Sequence, residues 1–528
     1  MKFIKGIDRD QISMSSLSDM ISEDNMVVTI DLFVDSINLD DFGFVIDHKD
    51  VGRPAFHPSD LLKLFIYGYM NCTRSSRDLE KECKRNVELM WLLKGLAPDH
   101  STINDFRKKN ESGISEVFKA TVKIAKHFSL IGGALIAGDS TKMRAQNNKK
   151  NNFNKDKITK KLKNIEKKLS DYFELLNETD QRLDRKERSE HQYIKTEIEE
   201  KIAEQNKIKA KYEAIAEELK KTEVDQISTS DPDSRELSYK RNSTEILYSV
   251  QTVSDGLNSI PIDYEVTNKP DNNAMGRMVS RVVPILETDN SNYQKGKDFK
   301  NQNTRESYTK EEPLIALFDK GYHTGSQLKE VQDLGVYSIV DSPESSSKAP
   351  TPEYDKKKFV YDKSKDEYIC PDGHILTSRG KQISKKTRVK GVVVKYQLYK
   401  CKNYKTCPNA SKCVKGGEPR RIERSEYEEN IEINKENFDK NKDLYNERKC
   451  IIEHPFGTLK RGWGFDYIIT KKGKDRASAD VGFMFISYNL KRIINLVGKE
   501  NLNKFLKELV FSLYKYFQSI PFSMTPQI

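Results

Sequence analysis

Hydrophobic positions in the first quarter of the chain recur three and four residues apart, the spacing of an amphipathic helix. The pattern is clearest in HPSDLLKLFIYGYMN and in SSRDLEKECKRNVELMWLLKGL. PDHSTINDFRKK then offers Ser101 or Asp99 as the N-cap of another short helix. Residues 1–128 are therefore predicted to be helical. Short helices with cationic edges suit a helix-turn-helix-like DNA-binding domain, and equally a bundle that only packs on the next domain.

Apolar runs with strand character follow. GALIAGDSTKMRA predicts a strand that ends at Asp139, and EILYSVQTV and SIPIDYEV flank SDGLN as a hairpin with an Asp-Gly turn. A helix is predicted over DNNAMGRMVSRVVPILETD, a strand over PLIALFD ending at Asp319, a helix over TGSQLKEVQDLG and a strand over VYSIV. Residues 129–154 and 225–341 are therefore predicted to form one mixed α/β sheet, with two acids at strand ends.

The intervening residues 155–224 have a different pattern. Apolar side chains alternate four and three residues apart in two runs, which are Ile158, Leu162, Ile165, Leu169, Tyr172 and Leu176, then Ile208, Tyr212, Ile215 and Leu219. Two such runs around a polar segment predict an inserted helical hairpin or coiled coil. Its charged residues are interpreted as a solvated face.

Residues 342–435 are rich in cysteine and begin with the loop sequence SPESSSKAPTPEYDKKK. Cys370, Cys401, Cys407 and Cys413 lie within 44 residues of one another. Four thiolates suit tetrahedral Zn²⁺, although the C-x5-C-x5-C spacing is looser than paired C-x2-C motifs, and His374 could replace one cysteine. The alternative is four reduced structural cysteines. Residues 436–528 return to helical patterns.

The composition narrows the class of protein. The 528 residues carry 91 Lys and Arg against 80 Asp and Glu, a net charge of +11, which hints at a polyanionic partner. No run approaches the ~18 apolar residues of a membrane span, and the N-terminal sequence lacks the features of a signal peptide. An odd number of cysteines, seven, fits a reducing cytosol better than a disulfide framework. The chain is expected to be cytoplasmic and not membrane-bound.

Three carboxylates stand out against this background: Asp139, Asp319 and Glu453. Two are predicted at strand ends, and the third on the helix that follows the cysteine-rich region. Carboxylates in this arrangement can hold two Mg²⁺ ions, which clamp the attacking and leaving oxygens of a phosphodiester displacement. The alternative for each acid taken alone is a helix cap or an ion pair.

Basic residues surround the third acid. Seven Lys or Arg and three Asp or Glu lie between Lys449 and Arg476. Cations beside a metal-binding glutamate suit the phosphates that flank a scissile bond, so Lys460 and Arg461 are predicted to contact DNA. A basic, solvated helix face is the alternative.

These motifs together resemble the DDE transposases of bacterial insertion sequences, in the group with a Tyr-Arg-Glu-Lys signature. The resemblance is carried by AGDSTKMRA, FDKGYHTGSQL and YNERKCIIEHPFGTLKRGWGF in that order. RPAFHPSDLLKLFIYGYMNCTRSSRDLE and PDHSTINDFR resemble the N-terminal helical domain of that group. The family usually has three residues between the signature Arg and Glu, whereas four separate Arg448 from Glu453 here.

The resemblance implies an RNase H-like catalytic core in which Asp139, Asp319 and Glu453 hold Mg²⁺ or Mn²⁺. It also implies that Tyr445, Arg448 and Lys460 surround the DNA backbone at the cut. The expected partners are double-stranded DNA, as the terminal inverted repeats of the element and as target, and a second copy of the chain on the paired ends. The expected setting is a prokaryotic cytoplasm, with the protein on the nucleoid when bound to DNA.

The expected activity is metal-dependent cleavage of the element ends followed by strand transfer. Two alternatives remain open from the sequence. One is a metal-dependent nuclease without strand transfer, and the other is a DNA-binding or scaffold protein derived from a transposase.

Overall fold

The structure is a computed structural model. It describes residues 10, 12, 14–44, 54–181, 188–222, 224–240, 243–287, 299–300, 307–308, 313–343, 349–387, 392–415 and 418–519. Parts of the predicted helical insert (182–187 and 223) and of the cysteine-rich region (344–348, 388–391 and 416–417) lie outside the described residues.

The N-terminal region is helical, as its periodicity predicts. Its helices are α1 Met26–Asp35, α2 Pro58–Met70, α3 Ser76–Arg85, α4 Val87–Leu92, α5 His100–Lys109 and α6 Glu111–His127. The run that follows Ser75 divides into two helices because Asn86 is extended and its side chain accepts a hydrogen bond from the Glu88 amide. Asp99 is the N-cap of α5, with its carboxylate accepting from the amides of Ser101 and Thr102.

A six-stranded mixed sheet lies at the centre of the described chain. Its strands are β1 Leu135–Arg144, β4 Arg235–Lys240, β5 Ser243–Asp255, β6 Pro261–Thr267, β9 Ile315–Phe318 and β10 Tyr337–Val340. Four short strands of this part lie outside the sheet: β2 Asn152–Asn154, β3 Gln226–Ser228, β7 Phe299–Lys300 and β8 Ser307–Tyr308. The order is β10-β9-β1-β5-β4, with β6 also paired to β5. β1, β9 and β10 are parallel, whereas β5 is antiparallel to both β1 and β6.

The prediction that the first strand ends at Asp139 is wrong. Parallel pairing with β9 stops at Gly138, but antiparallel pairing with β5 continues to Arg144. The ladder with β9 stops one residue before Asp139, whereas the ladder with β5 passes through it. Asp139 therefore lies within β1, at the point where its parallel ladder stops.

Helices cover the two faces of the sheet. α9 Met275–Glu287 and α10 Gly325–Asp333 connect the later strands, while α12 Glu428–Lys440 and α13 Lys442–Gly457 follow the cysteine-rich region. Leu135, Ala137, Leu317 and Ile339 form one buried cluster with Ile451 and Ile452 of α13. Because side chains alternate along a strand, the odd-numbered residues of β1, β9 and β10 face α13.

The C-terminal helix α14 Lys474–Val497 joins the helical region to the sheet, and α15 Lys499–Ser519 follows it. Phe483 of α14 stacks on Phe65 of α2 with ring centroids 4.7 Å apart. Asp480 is fully buried, accepts from the Tyr69 hydroxyl and lies 3.5 Å from the Arg74 guanidinium. N-terminal helices, sheet and α14 consequently share one hydrophobic core.

The segment predicted as an inserted hairpin contains two long helices, α7 Lys155–Gln181 and α8 Arg188–Lys221. They start and end on the β2–β3 ribbon, where Phe153, Ile158, Ile215 and Ile227 form a separate small core. We call α7 and α8 the arm. No helix in the described ranges is long and apolar enough to cross a membrane.

The cysteine-rich region folds around a second sheet that sequence patterns do not predict. Its strands are β11 Val360–Asp362, β12 Glu367–Ile369, β13 Ile375–Lys386, β14 Val393–Cys401 and β15 Arg421–Ser425, with the short helix α11 Ala410–Cys413 between the last two. All neighbouring pairs are antiparallel. Tyr354, Phe359, Tyr368, Leu376 and Tyr399 are among the buried residues of its own core.

Candidate active site

Asp139 and Asp319 lie side by side on the face of the sheet covered by α13. Gly138 pairs with Phe318, and Phe318 pairs with Val340, so the next residue on each strand belongs to one row across the sheet. That row is Asp139, Asp319 and Asp341, and neighbouring strands are about 4.8 Å apart. Sequence analysis did not single out Asp341. The feature of the sequence that could have identified Asp341 is its position directly after the predicted strand VYSIV.

Arg448 of α13 joins the first two acids. Its guanidinium donates to Asp139 Oδ2 at 2.7 Å and reaches Asp319 Oδ1 at 3.5 Å. The arginine side chain is 8% exposed, whereas Asp139 and Asp319 are 28% and 43% exposed. Burial raises the pKa of Asp139, and the positive charge of Arg448 opposes that effect. The Arg448 Nε is buried and has no hydrogen-bond partner among the described residues.

Tyr445 lies one turn before Arg448 on the same face of α13. The Arg448 guanidinium carbon is 5.7 Å from the centre of the Tyr445 ring, and Phe438 packs edge-on against the same ring with centroids 5.0 Å apart. Burial is the main cause that raises the pKa of the Tyr445 hydroxyl. The tyrosine and the arginine thus occupy the space above the aspartate row.

Glu453 is on α13 as predicted, but it is exposed and does not face the aspartates. Five residues of an α-helix turn through about 140°, so a helix that points Arg448 at the acids turns Glu453 away. The structure therefore brings together two of the three predicted acids, with Tyr445 and Arg448.

Lys460 reaches the sheet from a π-helical turn, Thr458–Gly462, that continues α13. Its ammonium donates to Thr141 Oγ1 and to the Lys142 carbonyl, both at 2.9 Å. Arg461, by contrast, is exposed. π-helical turns often occur at functional sites, and this one directs Lys460 to β1, the strand that carries Asp139.

A polar network on the same strands was missed by sequence analysis. Gln251 of β5 donates to Asp271 Oδ1 at 2.6 Å and accepts from the buried Tyr322 hydroxyl. Lys142 of β1 donates to Ser249 Oγ at 2.7 Å and to Asp271 Oδ1 at 3.3 Å. Burial raises the pKa of Tyr322 well above its ordinary value, with the charges of Asp271 and Asp139 adding to the effect. No periodicity or motif marks residues so distant in sequence.

The four clustered cysteines converge. Cys370, Cys401, Cys407 and Cys413 line one cavity of about 30 Å³, together with His374. The His374 amide donates to Cys370 Sγ at 3.2 Å, and Gly373 makes the turn between them with φ +82°. Burial raises the pKa of the Cys401 and Cys413 thiols. Even so, within the part of the chain that the structure describes, no three His, Cys, Asp or Glu side chains are close enough to hold a metal ion.

Two protein-family models match parts of the chain. The model "Transposase domain (DUF772)" matches residues 15–109, and the model "Transposase DDE domain" matches residues 369–494. The second match contains Tyr445, Arg448, Glu453 and Lys460. It begins after Asp319.

Similarity to whole proteins is weak. No curated protein matches the chain. Among solved structures, the cryo-EM structure of a piggyBac transposase synaptic complex with hairpin DNA is 10% identical, with coverage of 94% of this chain and 82% of that one. Its TM-score of 0.28 is too low to support an argument about the fold.

Proposed function

Because the two matched segments fit a DDE transposase of an insertion element, we propose that this chain cleaves the ends of such an element and joins them to target DNA. The observation that carries the proposal is the adjacent placement of Asp139 and Asp319 under Arg448 and Tyr445. Acids at the ends of parallel pairing in a mixed sheet also support an RNase H-like core.

A divalent metal ion fits the aspartate pair. Mg²⁺ prefers oxygen ligands and is commonly held by one or two carboxylates, with water and substrate phosphate completing its shell. Asp139 and Asp319 offer such a pair, partly exposed and on adjacent strands. Bound there, the ion would activate a water or a 3′-hydroxyl and stabilise the leaving oxygen. Mn²⁺ has the same ligand preference.

Glu453 is the proposed third metal ligand, although in the structure its side chain is exposed and turned away from the aspartates. The helix would have to rotate or unwind locally between Arg448 and Glu453 to bring the glutamate to the row. The π-helical turn that follows Gly457 shows that the hydrogen bonding of this helix already departs from the α pattern nearby.

The basic side chains are assigned to the DNA backbone. Arg448 can exchange its carboxylate partners for a phosphate, because guanidinium binds both in the same bidentate manner. Tyr445 lies beside Arg448, Lys460 reaches the strand that carries Asp139, and Arg461 is exposed on the same turn as Lys460. These three side chains are proposed to contact phosphates on either side of the scissile bond. A homodimer on paired ends is proposed because two ends must be cut together.

We propose six domain segments. They comprise a DNA-binding domain over 1–128, core segments over 129–154, 225–341 and 436–528, an insert over 155–224 and a zinc-binding region over 342–435. Asp480 of the last segment is buried against Tyr69 and Arg74 of the first, which supports close packing of the two.

Substitution of each acid tests the proposed function. Asp139→Asn, Asp319→Asn and Glu453→Gln should each abolish Mg²⁺-dependent cleavage of a labelled end fragment while DNA binding persists. Asp333→Asn, at an exposed position at the end of α10, is the matched control and should retain cleavage. Near-normal cleavage by any of the first three would remove that acid from the site.

The products of the same assay separate the alternatives. Nicked and joined products indicate a transposase, nicked products alone indicate a nuclease, and binding without either indicates a scaffold. An assay with both ends on one fragment also reports whether two protomers are needed.

Zinc is proposed at the four cysteines because their thiols line one small cavity, and binding would draw these side chains closer together than they lie in this structure. An amide that donates to Cys370 Sγ is the kind of contact that stabilises a thiolate ligand. Metal analysis of freshly purified protein should find about one Zn²⁺ per chain, lost in the Cys401→Ser, Cys407→Ser variant. The Cys72→Ser variant is the control, and an absence of zinc in the wild-type protein would reject the site.

A further inference from the structure

Basic and acidic residues are separated along the arm, and the spacing of its apolar residues does not require this separation. Residues 155–168, nearest the sheet, contain seven lysines and two acids, whereas residues 169–181 contain four acids and no base. The returning helix α8 repeats the division, with five bases and three acids in 205–221, then three bases and five acids in 188–204. A face that served only for solubility would gain nothing from separating the signs.

Three lysines of the near half point away from the packed stripe of α7. Ile158, Leu162, Ile165 and Leu169 form the packed stripe of α7, with Leu162 half-buried and the others buried. At 100° per residue, Lys160, Lys163 and Lys167 lie on the opposite side of the helix. All three are exposed, and within the described ranges none forms an ion pair. Uncompensated cations in a line repel one another unless an anion lies across them.

The chain enters the arm shortly after β1, the strand that carries Asp139. Arg144, the last residue of β1, exchanges backbone hydrogen bonds with the segment after Lys460 and Arg461, at 3.1 Å with Asp466 and 2.8 Å with Ile468. Lys157 at the start of α7 donates to the carbonyls of Lys149 and Asn152, which fixes the first turn. The arm therefore leaves the sheet through residues 145–154, directly after the strand end that is hydrogen-bonded to the segment following the basic turn Thr458–Gly462.

We propose that the near half of the arm, residues 155–168, is a DNA-backbone interface that holds duplex outside the scissile site. This rests on the proposed function, that the chain acts on DNA. Fourteen helical residues span about 20 Å. Duplex DNA carries one phosphate per about 3.4 Å of each strand, so this length matches roughly six phosphates. The contact is sequence-independent, since lysines on a helix surface read charge and not bases.

The arm itself supplies a matched control. Asp171, Glu174 and Glu178 repeat the spacing of Lys160, Lys163 and Lys167, lie on the same side of α7 and are exposed, but belong to the acidic half. One triple variant replaces the three lysines with Gln, and the other replaces the three acids with Asn, Gln and Gln. Gln has nearly the helix propensity of Lys, so both arms should fold, which far-UV circular dichroism checks.

The test measures binding of the full chain to a labelled linear duplex of random sequence at several salt concentrations. The measurement is made in the Asp139→Asn background, so that it does not depend on cleavage. The lysine triple should reduce the slope of log K against log salt by about 2 to 3, since each lost phosphate contact contributes about 0.9. The acid triple should leave the slope unchanged.

An unchanged slope in the lysine triple would overturn the proposal. So would a change in oligomeric state in both triples without a change in slope, because the basic half of one arm would then bind the acidic half of a second copy. Sedimentation of each variant distinguishes these cases. A wild-type protein that binds DNA through the arm but cuts nothing would reject the proposed function and leave this interface intact.

Discussion

Arg448→Ala should separate the two aspartates from the cation that holds them together. In the structure the guanidinium lies 2.7 Å from Asp139 and 3.5 Å from Asp319, and it is almost fully buried. Removing it leaves carboxylates in register on neighbouring strands, whose backbones are about 4.8 Å apart, with no neutralising charge between them. We expect a loss of stability together with a stronger response to divalent cations.

The magnitude follows from burial. Loss of one partner from a buried ion pair costs about 3–5 kcal/mol, but exposed pairs contribute only about 0–1 kcal/mol. Because Asp139 and Asp319 are 28% and 43% exposed, solvent relieves part of the loss. A decrease of about 2 kcal/mol in the free energy of unfolding is expected.

Urea unfolding of the wild-type, Arg448→Ala, Asp139→Asn and double variants gives the coupling energy. For residues in direct contact, we expect about 1–3 kcal/mol. A magnesium titration monitored by thermal unfolding completes the assay. Arg448→Ala should bind Mg²⁺ more tightly than wild type, because the guanidinium no longer competes for the carboxylates.

Two results would refute this reasoning. A coupling energy within about 0.5 kcal/mol of zero would mean that Arg448 and Asp139 act independently. Weaker Mg²⁺ binding in Arg448→Ala would mean that the arginine supports the metal site and does not compete with it. Arg448→Lys is the control, because lysine keeps the positive charge but lacks the planar guanidinium. It should recover part of the stability that Arg448→Ala loses.

Four further outcomes are expected. Asp480→Ala, which leaves the Arg74 guanidinium buried without its carboxylate, should destabilise the protein by about 3–5 kcal/mol in urea unfolding. Gly138→Ala should cost about 1–3 kcal/mol, since its Cβ would lie 2.1 Å from a ring carbon of the buried Phe318. Lys460→Ala should lose about 1 kcal/mol of stability with its hydrogen bonds to β1, as well as DNA affinity. Arg461→Ala, at an exposed position, should weaken only DNA binding, lowering the salt slope by about 0.9.

Much of the secondary structure was predictable from the chain itself. The three- and four-residue spacing in LLKLFIYGYM places α2, and short apolar runs place β9 and β10, because burial of one face imposes a period on the sequence. The resemblance to a DDE transposase is likewise carried by local motifs, and the two family matches fit it. The boundary between α3 and α4 depends on a single capping residue, Asn86, which the periodicity of apolar residues does not reveal.

The tertiary structure decided which of these residues meet. Asp341 joins the row of Asp139 and Asp319 only through strand register, which depends on pairing between segments far apart in sequence. Glu453 turns away from that row because the rotation of α13 is set by the burial of Ile451 and Ile452 against the sheet. The sequence determines that acids, cations and cysteines are present. Their distances follow from packing, since long-range contacts, and not local propensity, fix the register of a sheet and the rotation of the helix upon it.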